Sequence, residues 1–134
     1  MCQLNSNCDN CGREIVKEIG QTIIDGKLRF CLSYQCLCGS NLELDDLGFP
    51  EEYYRQVFLT KQGKYQLRIN FEENTDRIRT IKTVRQILQL PIARVAKLLK
   101  DTSVIVISEG TMVEMQWLQE LLLREKVKSI VEKK

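Results

Sequence analysis

The chain has 134 residues, 43% of them apolar, and 20 Lys and Arg against 18 Asp and Glu, so it carries a net charge of +2. It holds no histidine, which removes imidazole general acid–base catalysis, Ser-His and Cys-His nucleophile pairs and imidazole metal ligands. No apolar run approaches the ~20 residues that cross a bilayer, and the polar start Cys2-Gln3-Leu4-Asn5-Ser6-Asn7 lacks the apolar stretch of a secretory signal. A cytoplasmic chain with reduced thiols is therefore expected, in which clustered cysteines hold metal rather than pair as disulfides.

Charge and cysteine are unevenly spread. Residues 1–50 carry four basic against seven acidic side chains and contain all six cysteines, whereas residues 51–134 carry sixteen basic against eleven acidic. This predicts an α+β protein of two units, a small β unit over 1–47 and a compact α/β unit over 51–134, joined near Asp45-Asp46-Leu47-Gly48-Phe49-Pro50.

In the first unit Cys8-Asp9-Asn10-Cys11-Gly12 is followed by Cys36-Leu37-Cys38-Gly39, with 24 residues between Cys11 and Cys36. Four thiolates are the donor set that zinc takes in a closed tetrahedral site. The glycine after each pair lets the backbone bend so that its amides approach the sulfurs. Between the pairs, Glu14–Ile19 and Gln21–Ile24 read as extended. Asp25-Gly26 is a hairpin turn signal, and Lys27–Leu32 alternates with Leu28, Phe30 and Leu32 on one face. Ser40–Leu44 reads as a returning strand. Cys2 is expected as an unstructured terminal thiol. Cys31 is expected as a packing residue, and as the reserve ligand if one of the four fails.

The pattern over residues 6–46 resembles a zinc ribbon, although the second pair has one intervening residue where the common ribbon has two. The resemblance implies one structural zinc per chain, held by Cys8, Cys11, Cys36 and Cys38. A filled thiolate shell leaves no open position for a catalytic water, and the local net charge of −3 disfavours this unit as a nucleic-acid surface.

In the second unit Tyr53–Thr60 reads as an apolar, aromatic strand and Gln62-Gly63 as a turn. Tyr65, Leu67, Ile69 and Phe71 alternate as a half-buried strand. Tyr53, Tyr54, Phe58, Tyr65 and Phe71 are expected in the core rather than stacked on bases. Glu72–Asp76 is a polar turn before a helix over 77–90 with Ile78, Ile81, Val84 and Leu88 on its inner face. Pro91 opens a second helix to about Asp101 that buries Ile92, Val95, Ala96 and Leu99. Val104–Ile107 reads as a buried strand. Thr111 and Glu114 form a capping box for a helix with Val113, Trp117, Leu118, Leu121 and Leu122 inward, and Val127–Glu132 is a last strand. The expected order is β-β-α-α-β-α-β.

Ile81-Lys82-Thr83-Val84-Arg85, Ala96-Lys97-Leu98-Leu99 and Glu109-Gly110, followed by a helix and a strand, resemble the C-terminal domain of the bacterial ribosomal stalk protein, a fold shared with the Clp-protease adaptor. The resemblance spans roughly 53–134. It implies a non-enzymatic domain whose helices dock a translational GTPase, with Lys82, Arg85 and Lys97 at matching positions. Two departures argue against a stalk subunit: Gln86–Pro91 replaces the family's glycine-rich helix–helix turn, and the zinc-ribbon-like unit stands where the stalk's dimerisation segment and hinge would be.

Residues 77–100 hold Arg77, Arg79, Lys82, Arg85, Arg94, Lys97 and Lys100 and no acidic residue. These seven are the candidate partner-binding residues, set against a reading as the solvated face of two amphipathic helices. A protein partner is expected, with an immunity or antitoxin-type role as one version. Nucleic-acid binding in translation or transcription is the alternative. No nucleophile with a base, phosphate-cradling glycine loop or cofactor fingerprint is present, so neither catalysis nor a small-molecule substrate is expected, and no catalytic residue is assigned.

Overall fold

The computed structural model describes residues 2–74, 76–100 and 104–134, with the backbone alone at 98–100. The expectations for Thr75, Asp101 and the Leu99 and Lys100 side chains lie outside the described residues. The described chain is α+β, with seven strands in two antiparallel sheets and four helices. It divides into two compact units, residues 1–62 and 63–134.

The first unit is a four-stranded sheet in the order β1 (Cys2–Asn7), β2 (Glu14–Ile24), β3 (Lys27–Gln35), β4 (Asn41–Leu47), with α1 (Glu52–Gln62) against it. The β2–β3 hairpin closes through Asp25 and Gly26, both at positive φ (52° and 73°). That is the primed turn whose twist matches the flanking strands. Ile24 pairs with Lys27 across it. The register then places Ile15 and Ile19 of β2 on the same face as Leu28, Phe30, Leu32 and Tyr34 of β3, and all six are buried.

Two expectations change here. Residues 2–7 form a strand paired along β2 from Cys2–Ile19 to Asn7–Glu14, and Cys2 is buried in the core rather than loose. Its polar neighbours hid the signal: only alternate positions face inward, so Cys2, Leu4 and Ser6 share a face while Gln3, Asn5 and Asn7 are exposed. Residues 53–60 are helical, not a strand. Their aromatic content favours β structure locally, but Tyr54, Val57 and Phe58 follow helical spacing, and packing against the sheet decides the matter. Phe58 is 1% exposed, and its ring meets Phe30 edge-on at 6.4 Å. The second unit accordingly starts with one strand fewer than expected.

That unit is β5 (Tyr65–Asn70), α2 (Arg77–Leu88), α3 (Ile92–Lys100), β6 (Val104–Gly110), α4 (Met112–Arg124), β7 (Ile130–Lys133), with sheet order β6-β5-β7. Its core gathers Leu67, Ile69, Phe71, Ile81, Val84, Ile107, Met115, Leu118, Leu122 and Val127. Asp76 caps α2 by accepting from the Arg79 amide. Thr111 and Glu114 form the expected reciprocal box at α4, and Glu114 is fully buried by it. Buried Asn74 binds the Asn70 and Lys128 carbonyls and accepts from the Lys128 amide, pinning the turn before α2 to the start of β7.

The inward stripes are narrower than the periodicity suggests. Ile78 (65% exposed) and Ile92 (73% exposed) face solvent, while Thr80 and Thr83 are buried in their place on α2. Thr80 manages this by donating its hydroxyl to the Asp76 carbonyl. Ala96 is exposed as well, and β6, expected to be buried throughout, is an edge strand in which Val104 is exposed and Ile107 buried. Among the described residues no helix is long and apolar enough to cross a membrane.

Candidate metal centre

Two turns at the same end of the first sheet carry the four cysteines. Cys8–Gly12 links β1 to β2. The Gly12 amide donates to the Cys8 carbonyl at 2.9 Å, and the Cys8 amide donates to the Arg13 carbonyl at 2.8 Å. Cys36–Ser40 links β3 to β4. There the Gly39 amide donates to the Cys36 carbonyl at 3.0 Å, and the Cys36 amide donates to the Ser40 carbonyl at 2.9 Å. The two turns follow one plan with one residue fewer in the second, which is how a pair with a single intervening residue reaches the same arrangement. Gly12 (φ 77°) and Gly39 (φ 93°) are both in the left-handed region. A Cβ at either would meet nothing within 4 Å, so glycine is required by conformation and not by crowding.

The turns interlock. Cys8 Sγ lies 3.8 Å from Cys38 Sγ, Cys11 Sγ lies 3.5 Å from Cys36 Sγ, and all four sulfurs fall within 4.8 Å of one another. All four are free thiols. This group can hold a metal ion. Cys8 is 3% exposed and belongs to the sheet core, whereas Cys11 and Cys38 are at the surface. The site is rooted in the core on one side and open to solvent on the other. Cys31 is not among the four; it sits across β3 on the opposite face, where its thiol meets the Gly20 carbonyl at 3.6 Å.

Backbone amides aim at the sulfurs. Those of Cys11 and Asn10 lower the Cys8 thiol below its ordinary range, against the desolvation of a buried sulfur. The Ser40 amide lowers Cys38 to about 6, again against desolvation and with help from the Asn10 side chain. The Cys38 amide pulls Cys36 down, but burial and the thiols of Cys11, Cys38 and Cys8 outweigh it and push Cys36 up to about 11. Without a cation the cluster therefore keeps protons on some sulfurs so that others carry charge. A metal ion removes that conflict by taking all four as thiolates.

The seven basic candidates divide. Arg79 of α2 donates to the Glu125 carbonyl at 3.0 Å, at the C-terminal end of α4 where a cation is favoured. Arg94 of α3 donates to the Val106 carbonyl of β6 at 2.8 Å. Arg77 lies over the Phe71 ring at 4.9 Å. These three serve the fold. Lys82, Arg85 and Lys97 are exposed, and among the described residues no hydrogen bond or ion pair engages their side chains. Ile78, Lys82 and Arg85 fall on one stripe of α2. The sequence reading missed that its two misassigned isoleucines stand on the solvent side of these helices together with the free cations.

No protein-family model, no curated protein and no solved structure matches this chain.

Proposed function

We propose that the chain is a non-enzymatic, zinc-stabilised interaction module that docks a protein partner through α2 and α3. Zinc suits a donor set of four thiolates. A tetrahedral site with Zn–S distances of about 2.3 Å has S···S edges of about 3.8 Å, and the Cys8–Cys38 and Cys11–Cys36 separations are 3.8 and 3.5 Å. Four protein thiolates complete the shell, so the metal stabilises the fold and does not activate water.

The docking reading rests on one observation: Lys82, Arg85 and Lys97 are exposed and, among the described residues, unengaged on two helices that carry no acidic residue, while Arg79 and Arg94 are held by backbone carbonyls. The three cations are also the positions matched in the stalk-domain resemblance. The second unit is net basic, with fourteen Lys and Arg against nine Asp and Glu, which suits an acidic partner surface. A translational GTPase or a toxin masked by this chain are the partner classes that reading brings forward.

The test compares wild type with a Lys82→Glu/Arg85→Glu/Lys97→Glu variant, both zinc-loaded. Trp117 emission checks that the second unit is intact. Partners captured by wild type and lost by the variant are the expected result, with cross-links from those partners falling on α2 and α3. Equal recovery by both overturns the docking surface. Recovery of RNA or DNA, with affinity falling steeply between ~50 and ~200 mM salt, would replace the protein partner by nucleic acid. Metal analysis should return one zinc per chain; iron in its place would correct the metal, since four thiolates also suit iron.

A further inference from the structure

The two edges of the first sheet are treated differently. At the β1 edge α1 packs alongside, and the Lys61 ammonium donates to the Gln3 carbonyl, so part of that edge is covered. At the other edge β4 pairs with β3 alone, and all seven residues from Asn41 to Leu47 are exposed. An edge strand left open in this way offers a row of main-chain donors and acceptors to another strand.

The side chains of β4 restrict what can add to it. The register with β3 sets Leu42 opposite Tyr34, Leu44 opposite Leu32 and Asp46 opposite Phe30, so these three point to the face that carries the core. Leu42 and Leu44 are 38% and 46% exposed there: they continue the apolar face past the point where it is covered. Glu43, paired with Ser33, and Asp45, paired with Cys31, point to the other face. Along one lateral row of that face Glu18, Ser33 and Glu43 follow one another across β2, β3 and β4, and they line a hollow of about 800 Å³. Asp45 is bridged by Arg29 at 2.6 Å, but Glu43 and Asp46 have no ion-pair partner among the described residues.

A second copy of this strand is a poor occupant. Antiparallel self-pairing centred on Leu44 sets Glu43 opposite Asp45 twice, and like charges directly opposed across strands are destabilising. We infer that β4 receives an extended segment of another protein in which apolar residues alternate with lysine or arginine. The guest adds a fifth strand to the first unit. Its apolar side chains cover Leu42 and Leu44, its basic side chains stand beside Glu43 and Asp45, and its main chain bonds the open edge. This site lies on the acidic unit and recruits a basic segment, the reverse of the surface proposed for α2 and α3, so either proposal can fail while the other stands.

The experiment titrates a fluorescent peptide of alternating lysine and valine into the full-length, metal-loaded chain at ~100 mM salt. Anisotropy gives affinity, and amide resonances locate the site. Saturable binding is expected, with the largest shifts in residues 41–47. The same peptide N-methylated at alternate residues keeps its charge and loses main-chain donors, and it should bind at least about tenfold more weakly. Glu43→Lys should weaken the lysine–valine peptide on the order of tenfold and admit a glutamate–valine peptide instead. Equal binding of the methylated peptide would mean adsorption by charge and overturn the inference. So would shifts centred elsewhere, no binding, or self-association through β4 detected by sedimentation. Without self-association, those outcomes would leave the acids of β4 acting only to keep edges apart.

Discussion

Residues 1–62 and 63–134 each pack helix against antiparallel sheet, yet they close their cores by different means. In the second unit, three helices and a three-stranded sheet contribute a continuous apolar cluster from Leu67 to Val127. In the first, a single helix faces a four-stranded sheet, β4 is exposed throughout, and the buried set includes Cys2 and Cys8 beside its aliphatic and aromatic members. A sheet with so little cover needs another constraint, and in small domains a metal supplies it. The contrast yields an expectation: the four cysteines all lie in the first unit, so a metal held there should matter to the folding of that unit and not to that of the other.

Removing the metal should separate the two most sharply. The apparent binding free energy of structural zinc is about 10–16 kcal/mol in small metal-folded peptides, which exceeds what a domain core of this size spares. Chelation, or Cys8→Ser, is expected to abolish the first unit's β signal and tyrosine dispersion. Emission of Trp117, the only tryptophan, should stay unchanged because it packs against the second core. Loss of both signals together would show one cooperative body. Cys31→Ser should keep the metal, by metal analysis of the purified chain.

Core truncations come next. Leu122→Ala removes a fully buried side chain of α4 and should destabilise the second unit by about 2–5 kcal/mol, read as a lower Trp117 unfolding midpoint, without metal release. Phe58→Ala should cost about 3–5 kcal/mol in the first unit and raise the rate at which a chelator strips the metal. If the two variants shift both units equally, the comparison fails.

A smaller effect lies at Gln89, the C-cap of α2, which is held left-handed at φ 52°, ψ 47°. Glycine takes that conformation without the penalty a side chain incurs. Gln89→Gly is therefore expected to stabilise the second unit by about 0.5–1 kcal/mol, as a rise in the urea midpoint reported by Trp117.

The least effect is expected from acid. Hydrogen bonds from Lys134 and Lys64 hold Glu109 below the usual carboxylate range, and the Arg68 bond does so for Glu132. A depressed native pKa stabilises the fold above the unfolded value of about 4.3. That contribution disappears as pH falls through the native value. Glu109→Gln should flatten the loss of second-unit stability between about pH 5 and pH 3; an unchanged slope would show the bridges to be inert.

The clustering of the four cysteines was legible because its chemistry is local. Two cysteine pairs, each followed by glycine, encode the turns, and the Asp25-Gly26 hairpin encodes their approach. What escaped was set by distant packing. Residues 53–60 carry both a β composition and a helical spacing, and only Phe58 meeting Phe30 decides between them. The run Cys2–Asn7 has a single strong apolar residue to announce a strand. Ile78 and Ile92 satisfy a helical stripe by count, yet both face solvent, and on α2 Thr80 and Thr83 are buried beside Ile81 and Val84 instead. The cations on α2 and α3 could be listed in sequence, but only the contacts of Arg79 and Arg94 separate fastening side chains from those without a partner among the described residues.

The primed turn at Asp25-Gly26 also has a kinetic meaning. The two cysteine pairs are separated by 24 residues, 12–35, and a flexible loop of that length closes with an entropy penalty. The β2–β3 hairpin removes most of that search by zipping from its turn, on a timescale of about 1–10 μs for hairpins. The two cysteine pairs are thereby set side by side, with all four sulfurs within 4.8 Å. A turn residue that shuns positive φ at position 26 should therefore slow the approach of the two cysteine pairs while leaving every sulfur in place.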